Sequence, residues 1–429
     1  RIRTPNIDRL AAEGVRFTQF YAGAPLGVPS RGTLWSGRHT GHGSQRGDDW
    51  VVLRRQQHAL ARVLWQAGYS TALVGKWGVG DLALAGRPNE QGFEYFFGQL
   101  ERKEAENYYP TYLWRNLDKV PIRANEDNGR ERYAPDLITR DAVAYVRQHG
   151  GSSRPYFLAV SYQLDHADND LFARTGNGMD VPSDEPYADE NWPQPEKNKA
   201  AMLTRADRYV GEIMDAVEQA GQGGQTMILL TSDNGPHKEG GVDPEFFDSN
   251  GPLRGIKGDL YEGGIRVPLI AWGSCGTCGT CGLGEGTARA PRQRGYVSPR
   301  GMSYDPAGGT SFNRYGNDLG VGSSAYRRRA LVIEFPQANE PWVAPEEEHE
   351  QHGFPIVQPN RGAVSDHIWA SYDLAPTLAG MVRAWRQPRD WDGLDMCASL
   401  VGGVAQDHKY LYWESHGATD AAVEQVAAC

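Results

Sequence analysis

Five short segments carry residue types suited to chemistry on an anion. They are Gly27-Val28-Pro29-Ser30-Arg31, Gly75-Lys76-Trp77, Asp165-His166, Ser232-Asp233-Asn234-Gly235 and Leu253-Arg254-Gly255-Ile256-Lys257. Brought together they can place Lys76, Lys257, Arg31 and His166 beside the Asp233/Asn234 pair. A sulfate or phosphate ester needs several cationic donors on its oxygens, and a helix N-terminus favours the same negative charge. Asp233 and Asn234 offer hard oxygen ligands, which suit calcium or magnesium better than zinc. Each residue alone has an ordinary explanation: a lysine after a strand is usually solvated, and Asp-Asn-Gly is a common turn. The signal is their joint occurrence at the same end of successive strands.

The elements that must position them are legible from period and punctuation. Thr4-Pro5 opens a helix whose buried stripe is Ile7, Leu10 and Ala11, and Gly14 closes it. Val15 to Tyr21 reads as a strand. Leu60, Val63, Leu64 and Ala67 keep helical spacing, Gly68 ends that helix, and a strand follows over Tyr69 to Val74. A helix over Leu137 to Val146 precedes a strand over Tyr156 to Tyr162. A long helix through Met202, Tyr209, Ile213 and Val217 precedes an almost wholly apolar strand, Thr226 to Thr231. Apolar strands alternating with helices imply an α/β fold: a mainly parallel sheet with helices on both faces, and ligands at the strands' carboxyl ends.

The 429 residues suffice for one large domain and a smaller one, and the net charge of −10 leaves no broad basic surface for nucleic acid or anionic membrane. No run approaches the roughly 18 apolar residues of a membrane-spanning helix. The start at Arg1-Ile2-Arg3-Thr4-Pro5 reads as trimmed, so the lack of a leader does not fix a compartment. Residues 273–361 are rich in Gly, Arg, Ser, Pro and Glu and read as an insertion or extended loop, with Ala330 to Phe335 the one patterned run. Pattern returns over 362–429, through Ser365-Asp366-His367 and Tyr410-Leu411-Tyr412-Trp413-Glu414. Cys275, Cys278 and Cys281 sit in a Gly/Thr repeat and are not read as a metal site, for which four ligands are usual.

At this point a family is recognisable. Gly27-Val28-Pro29-Ser30-Arg31 resembles the sulfatase signature Cys-x-Pro-Ser-Arg, continued by Ser36-Gly37-Arg38-His39-Thr40-Gly41-His42. Gly68 through Trp77 resembles the second sulfatase signature. Thr231 to Gly235, Leu253 to Lys257 and Glu262 to Pro268 are similar to further sulfatase blocks. Gln91 to Gly98 and Asn107 to Pro110 resemble a bacterial-type arylsulfatase subgroup. The likeness covers 1–272, the expected catalytic core, and returns at about 362–416, the end of the core and part of a C-terminal subdomain.

The resemblance implies an alkaline-phosphatase-like fold, hydrolysis of sulfate esters, calcium, and a sulfated small molecule or glycan as partner. It also implies a secreted, periplasmic or lysosome-like setting. Position 27 would hold the cysteine that is oxidised to formylglycine, whose hydrate attacks sulfur. Arg31 would steady that hydrate, Lys76 and Lys257 would grip sulfate oxygens, and His166 would donate a proton to the leaving alcohol. Asp233 and Asn234 would be half of the calcium site. The departures are as informative. Gly27 is either a substitution that removes the nucleophile or a modified residue written as glycine. The family's first-strand aspartate pair would precede Arg1. Gly78 stands where many sulfatases have histidine, and Asp165 replaces a proline. A catalytically impaired relative that binds sulfated ligands is the alternative, and a phosphoester hydrolase of the same superfold a weaker one.

Overall fold

The structure, a computed structural model, describes residues 1–47, 59–79, 86–273, 329–335, 361–384, 387–403, 405–415 and 423–425. Its frame is an 11-stranded sheet. In chain order the strands are β1 (Val15–Tyr21), β2 (Ser70–Lys76), β3 (Tyr95–Gln99), β4 (Tyr112–Arg115), β5 (Asp118–Pro121) and β6 (Tyr156–Ser161). There follow β7 (Thr226–Ser232), β8 (Arg266–Gly273), β9 (Arg329–Phe335), β10 (Ala363–Ser365) and β11 (Trp369–Ala370). The spatial order is β10-β1-β8-β7-β9-β6-β2-β3-β4-β5, with β11 beside β1. Strands β1, β7, β9, β6, β2 and β3 run one way, and β8 is the antiparallel strand among them. The expected mainly parallel α/β sheet is therefore what the chain forms.

The central strands are apolar on both sides, and alternation assigns each residue to one of two cores. Ala72, Val74, Leu158, Val160, Ile228 and Leu230 face α1 (Pro5–Glu13), α4 (Ala134–His149) and α6 (Gln194–Gln219). On the other side Leu73, Phe157, Met227, Leu229 and Leu269 pack with α2 (Gly27–Ser36), α3 (Leu60–Gln66) and α8 (Leu374–Met381); α5 (Asn169–Thr175) and α7 (Glu262–Ile265) are short. The apolar spacing along α6 (Met202, Ala206, Tyr209, Val210, Ile213, Val217) is the three-to-four-residue repeat of a helix with one buried stripe. Gly75 holds β2 close to β6, because a Cβ there would lie 1.9 Å from the Ser161 carbonyl oxygen, and its φ is +114°. That tight crossing fixes the strand end that carries Lys76.

Strands β3, β4, β5 and β8 to β11 are not read as strands from the sequence, and two of them, β8 and β9, enter the middle of the sheet. Arg266–Gly273 extends one of the motif blocks and forms β8, which returns antiparallel between β1 and β7. The patterned run inside 273–361 forms β9, which enters the middle of the sheet between β7 and β6. The rest of that segment, 274–328 and 336–360, lies outside the described residues. Near the C-terminus a separate two-stranded sheet pairs Trp413–Ser415 with Val423–Gln425.

Candidate active site

Four parallel strands deliver their carboxyl ends to one edge, and the chemistry gathers there. Past β1 the chain turns into α2, whose first residue is Gly27. Arg31, one turn on, is buried at 3% exposure and fully engaged. Its Nε and Nη2 donate to the carbonyls of Trp77 and Gly78, each at 3.2 Å, and its Nη1 pairs with Asp233 Oδ2. A Cβ at position 27 would lie 2.5 Å from Asp233 Oδ2 and 2.7 Å from Arg31 Nη1, so this ion pair has closed over the glycine. Gly78 acts similarly: a Cβ there would come within 2.8 Å of Arg31 Nη2. A histidine at 78 would displace the guanidinium from its present place.

Lys76 ends β2 inside the same cluster, buried, and among the described residues it makes no ion pair or hydrogen bond. Burial first, then the nearby Arg31 charge, lowers its ammonium to about 7, with Asp233 opposing. A second group lies alongside. Lys257 Nζ sits 3.0 Å from Glu239 Oε2 and 3.3 Å from His166 Nε2. His166 Nδ1 lies 2.8 Å from the Ala167 carbonyl, which must accept, so Nδ1 carries the proton and Nε2 is a bare acceptor facing Lys257. Burial, with Lys257 and Lys76 beside it, pushes the imidazole well below its usual range. Lys76 joins the two groups, since its charge is felt by Arg31, Asp233, Lys257 and His166.

Residues outside the sequence reading shape this edge. Glu239 pairs with Lys257, and its backbone N–H donates to His237 Nδ1 at 2.9 Å. His237 Nε2 then donates to the Asp165 carbonyl at 3.1 Å, which ties the loop after β7 to the loop after β6. The Tyr108 hydroxyl reaches the carbonyls of Gln163 and His166 at 2.8 and 2.6 Å, holding the turn before the histidine. The signal for His237 and Glu239 was present as Pro236-His237-Lys238-Glu239 directly after Asn234-Gly235.

Among the described residues, the oxygens at this edge supply only part of a calcium site. Asp233 Oδ1 is buried without a hydrogen-bond partner, as a cation ligand would be, but Oδ2 is engaged by Arg31. Asn234 directs its amide to the Gly235 carbonyl at 2.9 Å. Two side chains fall well short of calcium's roughly six to eight oxygens, and a guanidinium already neutralises one of them. Another metal-like grouping, His39, His42 and Asp392, spends its carboxylate on the His39 N–H at 3.0 Å and His42 Nδ1 at 2.7 Å. It ties the exit of α2 to the C-terminal region. Among the described residues no helix is long and apolar enough to cross a membrane.

Comparison with known proteins follows the same lines. The sulfatase family model matches residues 1–277. Arylsulfatase J of Mus musculus is 30% identical over 286 residues, covering 62% of this chain and 43% of its own length. N-acetylgalactosamine-6-sulfatase of Mus musculus is 29% identical over 298 residues, covering 63% and 52%. The chain thus spans about half the length of these relatives. Among solved structures, Ps i-CgsB in complex with k-i-k-neocarrahexaose superposes with a TM-score of 0.66 at 22% identity, covering 97% of this chain and 75% of that one. The PsFucS1 sulfatase from Pseudoalteromonas sp. gives 0.59 at 21% identity, covering 96% and 69%. These structural likenesses speak for the fold, while the family match spans well over half of the sequence. The chain belongs to the sulfatase family.

Proposed function

We propose that this edge recognises the sulfate group of a sulfated carbohydrate or aryl sulfate, and that with glycine at position 27 it binds rather than turns over. The grouping of Lys76, Lys257, Arg31 and His166 around the N-terminus of α2 carries the reading. Lys76 and Lys257 would hold sulfate oxygens, and the first turn of α2 adds backbone donors. His166 meets the ester neutral, with Nε2 bare. A bound anion opposes the neighbouring cations and returns the imidazole toward its ordinary range, where it can carry a proton to the leaving oxygen.

The nucleophile is what this chain lacks as written. A formylglycine at position 27 would supply it, and a hydrolase of sulfate esters is the function of such a chain. The closure of Arg31 and Asp233 over the Gly27 Cβ position supports the impaired, binding form instead. Calcium, expected from the family, would find only part of its shell in Asp233 and Asn234, so no step is assigned to it. A sulfated oligosaccharide fits the reading at least as well as an aryl sulfate: one solved neighbour is described with its substrate D-glucosamine-2-N,6-O-disulfate.

Mass spectrometry of the peptide around position 27, paired with titration calorimetry of 4-nitrophenyl sulfate, tests this. Glycine with measurable binding and background hydrolysis is expected. Failure to bind, with Lys76→Ala and Lys257→Ala indistinguishable from the parent, would remove the sulfate reading.

A further inference from the structure

The charges at this edge of the sheet nearly cancel in pairs. Arg31 is paired with Asp233, and Lys257 with Glu239. His166 contributes a bare nitrogen, and Lys76 is left without an ion-pair partner among the described residues. Glu106, the other carboxylate that Lys76 senses, is held by Arg102 at 3.7 Å and Asn169 at 3.3 Å. Lys76 is thus the cation without a counter-charge, and a bound anion would hold it in its charged form.

We propose that Glu239 is a specificity-determining residue: its carboxylate on Lys257 sets the site to accept a singly charged sulfate monoester and reject dianions. Phosphate monoesters and free inorganic sulfate are the dianions concerned. The inference rests on the sulfate-binding reading above and adds to it which charge state is admitted. An ordinary surface ion pair would carry no such role; here the Glu239 side chain is 37% exposed, but its partner is sheltered. The Lys257 side chain is 11% exposed and lies against His166. Glu239 is also held in place, through its N–H on His237 and from there to the loop bearing His166.

A carboxylate beside the ligand repels in proportion to the ligand's charge, so a dianion suffers about twice the free-energy penalty of a monoanion. In affinity the factor for the dianion is then the square of the factor for the monoanion. Rejection of free sulfate would also favour its release wherever an active site of this kind cleaves the ester.

Calorimetry on the full chain near pH 7.5 would compare 4-nitrophenyl sulfate, 4-nitrophenyl phosphate and inorganic sulfate. The phosphate ester is there mostly dianionic. In Glu239→Gln the aryl sulfate should bind roughly threefold tighter and both dianions roughly tenfold tighter. Glu239→Asp, which keeps the charge, should retain the parent's order of affinities, and matching thermal melts would show that both variants fold. Equal gains for all probes in Glu239→Gln, or no gain, would overturn the inference. A parent chain that binds none of the probes would overturn the sulfate-site reading, and this inference with it.

Discussion

Asp165 carries a buried charge that the fold does not pair, and its removal should stabilise the protein. Its side chain is fully buried, and neither carboxylate oxygen has a hydrogen-bond partner; nor has the buried Lys199 Nζ. Burial pushes the carboxyl up from 3.8 to about 6, with Lys199 pulling the other way but losing. A rise of about two units makes the ionised form roughly 3 kcal/mol less favourable in the folded chain than in the unfolded one. Because the folded value is the raised one, the folded state binds the extra proton between the two values. Stability from this group is therefore complete below about pH 3.8 and lost as pH rises through about 6. Asp165→Asn removes the charge at every pH. In urea unfolding the variant should gain about 3 kcal/mol near pH 7.5, but only about 1 kcal/mol near pH 4.5. The pH dependence is the diagnostic, since a packing change would shift both conditions alike. A difference that stays constant with pH, or a loss that grows as pH rises, would mean that the carboxylate is stabilised by a partner and that the reasoning is wrong.

Three further outcomes follow from the site. Gly27→Cys places a side chain against Asp233 and Arg31 and should lower the melting temperature; aryl sulfate turnover should stay at background even with a formylglycine-generating enzyme co-expressed, and robust turnover would refute this. Calorimetric titration with calcium should be weak or substoichiometric, whereas tight binding would require ligands beyond Asp233 and Asn234. Since Lys76 loses its proton at about 7, sulfate affinity should fall as pH rises from 6 to 9, by up to about tenfold per unit; a flat profile would exclude Lys76 from the anion.

The sequence was most informative where one physical rule dominated. Val15–Tyr21 was read to the residue, because Gly14 stops the helix before it and an apolar run follows. The ends of β2, β6 and β7 were displaced by one or two residues, since hydrogen-bond pairing rather than hydropathy sets where a strand stops. Strand β9 was visible as a run yet had no address: nothing in Ala330 to Phe335 says which two strands will flank it. At the site, Gly27, Arg31, Lys76, His166, Asp233, Asn234 and Lys257 could be named from strand-end position and family likeness. Their partners could not. The Arg31–Asp233 pair depends on loops far apart in the chain, while the proton on His166 Nδ1 and the hold of Glu239 on Lys257 depend on local loop geometry that residue order does not specify.

The position of β9 bears on how the molecule can be made and divided. Strands β6 and β7 each bond to it along one whole side, so until Arg329–Phe335 arrives both present a row of unused backbone donors and acceptors. This interior strand is also the last of the large ones to be synthesised, entering well after β8 closes at Gly273. Non-local pairing of this kind is slow and leaves sticky edges open in the interval. A fragment cut at residue 277, where the family match ends, would carry every residue of the anion site and still lack the strand that joins the sheet's two halves. Such a fragment should aggregate rather than bind, so the unit of recognition by likeness is smaller than the unit that can fold.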